Sequence, residues 1–297
     1  MMTAAESCPM CGGKSRKRKS VIRAGTVAIC NDCGGWYRTP RPVASDMDGI
    51  YTENYYDSWG LSENPESVEL TKNATFAPIL DQLETITAPY SKKGNLLDVG
   101  AATGTLLENA ARRGWLPYAV ELNPYSAGIL RDKFGPQHVF EGALADYPAT
   151  DTRFDVITMT DVLEHVFDIR KTLVTAASLL RDDGVLCITT PQIDSFSRIL
   201  LGRQWLHFKE EHIQYFTARG ITMALASAGF DRIQIRSHYK YLTLAYVHRQ
   251  LQTFPHWLLT PTIAFTHSIT PERFRIRPIR FRCGEMLVIG QASKDRY

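Results

Sequence analysis

The sequence predicts an α/β protein whose largely parallel sheet is covered by helices on both faces, preceded by a small cysteine-rich module. Three observations lead to this prediction. From Asn95 onward, apolar strands alternate with helices of about 10–15 residues. The first of these strands, Asn95–Val99, ends in an acid and a glycine-rich turn that leads into a helix. The first 33 residues contain two Cys-x-x-Cys pairs.

Length and composition limit the class of protein. A chain of 297 residues can form one large domain, or one domain and a small module. Its 44% hydrophobic and 22% charged residues are typical of a globular protein. A net charge of +3 does not indicate nucleic-acid binding by itself. There is no apolar run of about 18 residues, and cysteines stand where a signal peptide would be apolar, so we expect a cytoplasmic protein.

The paired cysteines predict a metal site in residues 1–45. Eighteen residues separate the two pairs, and two glycines follow each pair. This spacing is typical of a zinc ribbon. Two disulfides are the alternative, but a cytoplasmic chain with two further isolated cysteines argues against them. Four thiolates fill the tetrahedral shell of zinc, so we expect a structural Zn²⁺. Its ligands would be Cys8, Cys11, Cys30 and Cys33.

Two segments around the ribbon have a distinct composition. The basic run Lys14–Lys19 lies at its tip, as a solvated loop or as a contact for a polyanionic partner. Residues 46–90 predict a helical connector or lid that is rich in aromatic residues, among them Tyr51, Tyr55, Tyr56 and Trp59.

The α/β pattern occupies residues 91–297. We predict strands at 95–99, 117–121, 138–141, 154–160, 184–190, 232–237 and 285–291, and helices at 105–113, 126–134, 162–180 and 218–228. Two insertions, 192–217 and 238–282, interrupt the alternation. Insertions beside the carboxyl edge of such a sheet usually build the substrate site.

The turn after the first strand predicts a nucleoside-binding loop. It reads Asp-x-Gly-x-x-x-Gly over Asp98–Gly104, which differs from the Gly-x-Gly-x-x-Gly of dinucleotide sites, and no Gly-Lys-Ser/Thr follows as in a P-loop. Glu121 ends the second strand, seventeen residues after Gly104. In nucleotide-binding βαβ units an acid near this position accepts hydrogen bonds from the ribose hydroxyls. A surface acid at a strand end is the alternative.

These motifs resemble motif I of the class I S-adenosylmethionine-dependent methyltransferases, which have a Rossmann-like seven-stranded fold. The segment from Phe154 to Val166 resembles the Phe-Asp…Leu-Glu-His signature of their small-molecule branch. Ala102 stands where the family usually has glycine. The resemblance implies that the loop borders the methionine part of the cofactor and that Leu122 and Ala143 border the adenine. The implied cofactor-binding residues are Asp98, Gly100, Gly104, Glu121, Leu122, Ala143 and Thr160.

A second resemblance extends to residue 237. The Glu-His…Tyr-Phe-Thr segment within residues 205–217 is similar to a bacterial branch of this family whose members often carry an N-terminal Cys-pair ribbon. That branch modifies sugars, lipids and secondary metabolites. We therefore expect O-methylation of a small-molecule, sugar, glycan or lipid-linked acceptor, with C- and N-methylation left open.

Transfer to a hydroxyl benefits from a general base, usually histidine. His212, next to Glu211, is our first candidate and His165 the second, while His207 is a weaker one. Alternatively, His212 fixes a lid loop and His165 closes a helical turn. Asp161 and Glu164 have the spacing of a capping box.

The segment from Arg273 to Arg282 has five arginines interleaved with apolar residues. In a strand, Arg273, Arg275 and Arg277 would share one face. Such a face is either solvated or an anion site for a diphosphate- or lipid-linked substrate. With the apolar residues 254–259, it would also suit peripheral contact with the inner membrane face.

Two other functions stay open. RNA methylation would suit the basic run 14–19, but the modest net charge and the Leu163-Glu164-His165 signature argue against nucleic acid. Alternatively, the ribbon is a docking module and the α/β domain binds cofactor without transferring a methyl group. The intact residues of motif I and Glu121 argue against that reading.

Overall fold

The computed structural model describes residues 7–14, 16–43, 65–88 and 93–293. The four aromatic residues of the predicted connector, Tyr51, Tyr55, Tyr56 and Trp59, lie outside the described residues, as do most side chains of the basic run 14–19. No helix in the described part is both long and apolar enough to cross a membrane.

The strands of the described residues are β1 (Arg16–Ile22), β2 (Gly25–Cys30), β3 (Trp36–Arg38), β4 (Asn95–Val99), β5 (Leu116–Glu121), β6 (Val139–Glu141), β7 (Phe154–Thr160), β8 (Leu180–Pro191), β9 (Gln214–Tyr215), β10 (Phe230–Leu242) and β11 (Ile279–Ala292). The α-helices are α1 (Pro65–Thr87), α2 (Thr105–Arg112), α3 (Pro124–Phe134), α4 (Ile169–Leu179), α5 (Phe196–Leu201), α6 (Ala218–Ser227), α7 (Leu244–Thr253), α8 (Leu259–Ile269) and α9 (Glu272–Arg275).

Seven strands form the main sheet, in the order β6-β5-β4-β7-β8-β11-β10. The pairs from β6 to β8 are parallel, and β11 runs antiparallel to both of its neighbours. The central strands are apolar on both faces because helices cover both. Leu96 packs in a core with α1, α2 and α3, whereas its neighbour Leu97 packs in a core with α4 and α6. This arrangement confirms the predicted Rossmann-like fold.

The predicted helix 162–180 is wrong in its first part. Helix α4 begins only at Ile169, where the Asp168 side chain accepts a hydrogen bond from the Lys171 amide at 2.9 Å. Before it, Leu163–His165 forms one 3-10 turn. The Gln214 side chain donates to the carbonyls of Leu163 (2.8 Å) and Val166 (2.6 Å), so tertiary contacts take the carbonyls that a helix would have used.

The capping box suggested by the spacing of Asp161 and Glu164 is also wrong. The Asp161 carboxylate accepts from Lys240, and the Glu164 carboxylate accepts from Thr190, both across the sheet edge. Neither caps a helix.

The arginine segment is not one strand. Glu272–Arg275 forms the short helix α9, so the shared face predicted for Arg273, Arg275 and Arg277 does not exist. Strands β10 and β11 continue past the predicted ends as a long hairpin, in which Lys240 pairs with Phe281 and Leu242 with Ile279. The hairpin carries α7, α8 and α9 at its tip, which is the second predicted insertion.

The ribbon and the main domain share a sheet. Strands β1, β2 and β3 pair in order, and β9, from the first insertion, is the fourth strand. Trp36 pairs with Tyr215 and Tyr37 with Gln214. The Thr217 hydroxyl donates to the Cys33 carbonyl at 2.6 Å. These bonds attach the cysteine module directly to the segment that contains His212.

Candidate functional site

The four paired cysteines converge on one point. Their sulfur atoms lie within 4.8 Å of one another, with 3.7 Å between Cys8 and Cys33 and 3.6 Å between Cys11 and Cys30. Zinc–sulfur bonds of about 2.3 Å in a tetrahedron place sulfurs about 3.8 Å apart. The Gly35 amide donates to the Cys33 sulfur at 3.4 Å, as expected for a thiolate ligand. All four are free of disulfides, so the donor set fits a Zn²⁺ ion.

The glycine loop lies at the carboxyl end of β4. Gly100 has a φ of 69°, and a Cβ built on it would lie 2.6 Å from Cγ2 of Val162. Its amide donates to the Val120 carbonyl at 2.8 Å. Ala102, where the family usually has glycine, also has a positive φ of 50°. The backbone therefore turns as the motif requires, and the loop accepts the alanine at a cost of about 1–2 kcal/mol.

Glu121 closes the loop from the neighbouring strand. It is buried, and its carboxylate accepts hydrogen bonds from the amides of Ala102 (2.7 Å) and Asn123 (2.9 Å). Burial raises the pKa of Glu121, and these backbone hydrogen bonds act against that rise. Each carboxylate oxygen has a second lone pair, which is the acceptor capacity that two ribose hydroxyls require.

Asp98 is bonded to the neighbouring strand. Its carboxylate accepts a hydrogen bond from the Thr158 hydroxyl on β7 at 2.6 Å. Burial raises the pKa of Asp98 to about 7, and the Thr158 hydrogen bond acts against this rise. Asp98 is therefore a buried acid between two strands that lie under the glycine loop.

The other residues implied by the resemblance lie along the same edge. Leu122 is exposed directly after β5, and Ala143 is exposed after β6, where the Gly142 amide donates to the Glu121 carbonyl at 2.9 Å. Thr160 ends β7. The carboxyl ends of β4, β5, β6 and β7 thus bring together the residues expected to bind cofactor.

A partly buried ionic chain of three side chains starts at the end of β7 and was not among the sequence-based predictions. The Lys240 ammonium lies 2.6 Å from an Asp161 carboxylate oxygen and 2.7 Å from one of Glu285. Burial raises the pKa of Asp161, but the Lys240 charge outweighs this effect and lowers it to about 2. His207 lies 3.7 Å from the same Glu285 oxygen. An acid inside the apolar strand pattern after Gly284 was the available sequence signal.

A cavity of about 310 Å³ adjoins this ionic chain at Glu285. The second carboxylate oxygen of Glu285 is buried and has no hydrogen-bond partner among the described residues. Most of the other lining side chains carry hydroxyl, amide or charged groups. The lining residues are Gln192, Asp194, Ser195, Phe196, Ser197, Ser237, Arg282, Gly284 and Glu285.

The two candidate bases lie together. The rings of His165 and His212 meet edge to face with 4.8 Å between centroids. His165 Nδ1 lies 3.1 Å from the Glu211 carbonyl, which assigns the proton to that nitrogen. His212 is buried, and its Nδ1 has no hydrogen-bond partner among the described residues. Burial lowers the pKa of both, that of His165 to about 4, so both rings are neutral at pH 7.

The same histidines form a second group of potential metal ligands. One carboxylate oxygen of Glu164 and one ring nitrogen each of His165 and His212 lie within 4.8 Å of one another. Two imidazoles and a carboxylate suit a divalent transition metal. The cluster can therefore act as a base or as a cation site.

This fold and site define the chain as a class I methyltransferase. A methyltransferase-domain family model matches residues 73–235, more than half of the chain, and the chain belongs to that family.

The curated relatives match part of the chain. A protein of Mycobacterium tuberculosis named "Probable S-adenosylmethionine-dependent methyltransferase" is 27% identical over 143 residues, which are 48% of this chain and 51% of the relative. A mitochondrial ubiquinone biosynthesis O-methyltransferase of Schizosaccharomyces pombe is 30% identical over 124 residues, covering 40% of this chain and 43% of the relative. The chain spans about half the length of the curated relatives it matches.

Solved structures share the fold. The 1,6-didemethyltoxoflavin-N1-methyltransferase of Burkholderia thailandensis superposes with a TM-score of 0.50 at 15% identity, covering 94% of this chain and all of the other. A S-adenosylmethionine-dependent methyltransferase of Thermotoga maritima gives a TM-score of 0.51 at 16% identity, covering 84% and 100%.

Proposed function

We propose that this protein is an S-adenosylmethionine-dependent O-methyltransferase whose acceptor is a small, polar, hydroxyl-bearing molecule of sugar or glycan type. One observation carries the proposal: the residues expected to bind cofactor and a polar cavity lie on the same sheet edge, connected by the Asp161–Lys240–Glu285 chain. The 30% identity to an O-methyltransferase supports transfer to oxygen.

The cofactor would lie on the glycine loop. Gly100 and Gly104 leave room for its methionine part, Glu121 would accept from its ribose, and Leu122 and Ala143 would border its adenine. When bound, S-adenosylmethionine supplies an electrophilic methyl group.

The cavity would orient the acceptor. Glu285 offers a hydroxyl donor a carboxylate oxygen that has no hydrogen-bond partner among the described residues, while the Ser195, Ser197 and Ser237 hydroxyls can both donate and accept. Arg282, exposed at the cavity, suits an anionic substituent such as a phosphate. Holding the acceptor hydroxyl in line with the methyl group supplies much of the rate.

His212 would take the proton from the acceptor hydroxyl. Burial keeps it neutral, and its Nδ1 lone pair is not used by the described residues. His165, in ring contact with it, would orient it through the hydrogen bond to the Glu211 carbonyl. A metal ion held by Glu164, His165 and His212 would occupy this lone pair. One bound ion per chain, at the cysteines, therefore leaves His212 available as a base, whereas a second ion would indicate a cation site.

The test combines native mass spectrometry and turnover. We expect one zinc per chain and saturable S-adenosylmethionine binding, weakened at least tenfold in Glu121→Ala. A panel of sugar phosphates, glycans and phenols is then assayed for S-adenosylhomocysteine release. His212→Ala should lower turnover while cofactor affinity is retained, and His248→Ala, in helix α7 and not among the residues that line the cavity, is the matched control. Absence of cofactor binding would overturn the proposal. Full turnover by His212→Ala would show that His212 is not the general base.

A further inference from the structure

Helix α8 has its apolar face turned toward solvent. Leu258, just before it, and Phe265 and Ile269 are spaced seven and four residues apart, so they lie on one helical face. Their exposed fractions are 51%, 66% and 64%. No residue of α8 is buried. The preceding Trp257 is 76% exposed. Surface helices of globular proteins normally point such a face inward.

The opposite side of α8, which includes His267, packs against α7. The His267 ring stacks on His248 of α7 with 4.2 Å between centroids and an interplanar angle of 11°. After α8, Arg275 donates through Nε to the Thr270 carbonyl at 2.6 Å. These contacts fix the orientation of α8, so the outward apolar face is a feature of the fold.

The same segment concentrates positive charge. Residues 243–282 contain six arginines and one acid, Glu272, whereas the whole chain has a net charge of only +3. Arg273, Arg277, Arg280 and Arg282 are exposed. The rest of the chain is therefore slightly acidic, and the basic charge lies next to the apolar face.

A second outward apolar face lies on helix α5. Phe196, Ile199 and Leu200 are spaced three and one residues apart and are 74%, 65% and 70% exposed. Helix α5 contacts the arginine-bearing start of β11, because the Ser197 hydroxyl donates to the Cys283 carbonyl at 3.2 Å. Helix α5 thus adds a second outward apolar face beside the arginines at the start of β11.

We infer that this basic apolar surface, formed by α5 and residues 257–282, binds the surface of an anionic lipid bilayer. Aromatic and aliphatic side chains would insert among the acyl chains, and the arginines would pair with lipid phosphates. A second copy of the chain fits less well, since a two-fold interface would bring the same arginines against each other. This inference does not depend on the methyl acceptor.

Vesicle flotation tests it with the full chain. The probes are vesicles of phosphatidylcholine alone and of phosphatidylcholine with 30% phosphatidylglycerol, at 0.1 M and 1 M NaCl. We expect binding to the anionic vesicles only, weakened at 1 M salt because the Debye length falls from about 10 Å to about 3 Å. The Trp257 fluorescence should shift to the blue on binding, and Trp257→Phe should remove that signal without abolishing flotation.

Two double variants distinguish vesicle binding by this surface from nonspecific hydrophobic binding. Phe265→Ser with Ile269→Ser should lower binding at least tenfold. Leu70→Ser with Val174→Ser, exposed apolar residues of α1 and α4, is the matched control and should bind like the unmodified chain. All four changes are on the surface, and retained S-adenosylmethionine binding checks the fold.

Three results would overturn the inference: no flotation with anionic vesicles at 0.1 M salt, equal losses in both double variants, or a dimer in analytical ultracentrifugation that the α8 variant dissociates. If cofactor binding fails but flotation succeeds, the proposed function is wrong and the membrane surface stands.

Discussion

Gly100→Ala tests whether the glycine loop has the conformation described. The new Cβ meets two penalties: a φ of 69°, which costs an L-residue about 1–2 kcal/mol, and a methyl carbon of Val162 at 2.6 Å. Overpacking of this kind costs about 1–3 kcal/mol. The lower entropy of the unfolded alanine chain returns about 0.4–1 kcal/mol. We therefore expect the free energy of unfolding to fall by about 2–4 kcal/mol, measured by urea denaturation.

A double-mutant cycle separates the two penalties. Val162→Ala removes the clash, so in that background Gly100→Ala should cost only the backbone term, with a coupling energy of about 1–3 kcal/mol. Gly128→Ala is the matched control. It lies in α3 with no atom within 4 Å of the new Cβ, and it should stabilise the protein by about 0.5–1 kcal/mol. A Gly100→Ala cost that is negligible, or unchanged by Val162→Ala, would refute this reasoning.

Three further predictions concern buried groups. Lys240→Met leaves the partly buried Asp161 and the buried Glu285 without their cation, and urea unfolding should show a loss of about 3–5 kcal/mol in the free energy of unfolding; an unchanged midpoint would mean that the ionic chain is not formed. The raised pKa of Asp98, about 7, means that the folded state binds its proton more tightly, so the contribution of Asp98 to stability should fall by about 2–3 kcal/mol from pH 5 to pH 8. The buried histidines, whose pKa values are lowered, titrate with the opposite sign, so the measurement is the difference in unfolding free energy between the unmodified chain and Asp98→Asn; a difference that does not change with pH would contradict the raised pKa. Cys33→Ser should lose the single zinc in native mass spectrometry and lower the melting temperature, whereas retained zinc would contradict a four-thiolate site.

The sequence predicted correctly the strands whose ends are marked by neighbouring residues. The range Asn95–Val99 was predicted without error because an apolar run ends in an acid and a glycine turn, and Phe154–Thr160 matches equally well. The helix predicted at 162–180 was wrong at its start because local helix propensity does not report that Gln214, 48 residues beyond Val166, takes the carbonyls.

Long-range charge pairs leave little local signal. Lys240 lies in a polar hairpin strand, and its partners Asp161 and Glu285 are 79 and 45 residues away. The cavity depends on the same long hairpin, so its lining could not be assembled from motifs. Residues of the glycine loop were easier to predict, because backbone conformation within a few residues determines which types fit.

One of the backbone contacts between the two modules lies next to His212, and it predicts that the ribbon influences turnover. The Ile213 amide donates to the Glu164 carbonyl at 3.0 Å, while the Ile213 carbonyl accepts from the Arg38 amide at 2.9 Å. Ile213 is thus bonded to the 3-10 turn after β7 on one side and to the ribbon strand β3 on the other. His212 precedes it by one residue. If a Zn²⁺ ion ligated by the four thiolates holds the ribbon together, its loss would free this segment on the ribbon side. Zinc removal should therefore lower kcat more than it weakens cofactor affinity, since Glu121 and the glycine loop lie on strands that the ribbon does not pair with.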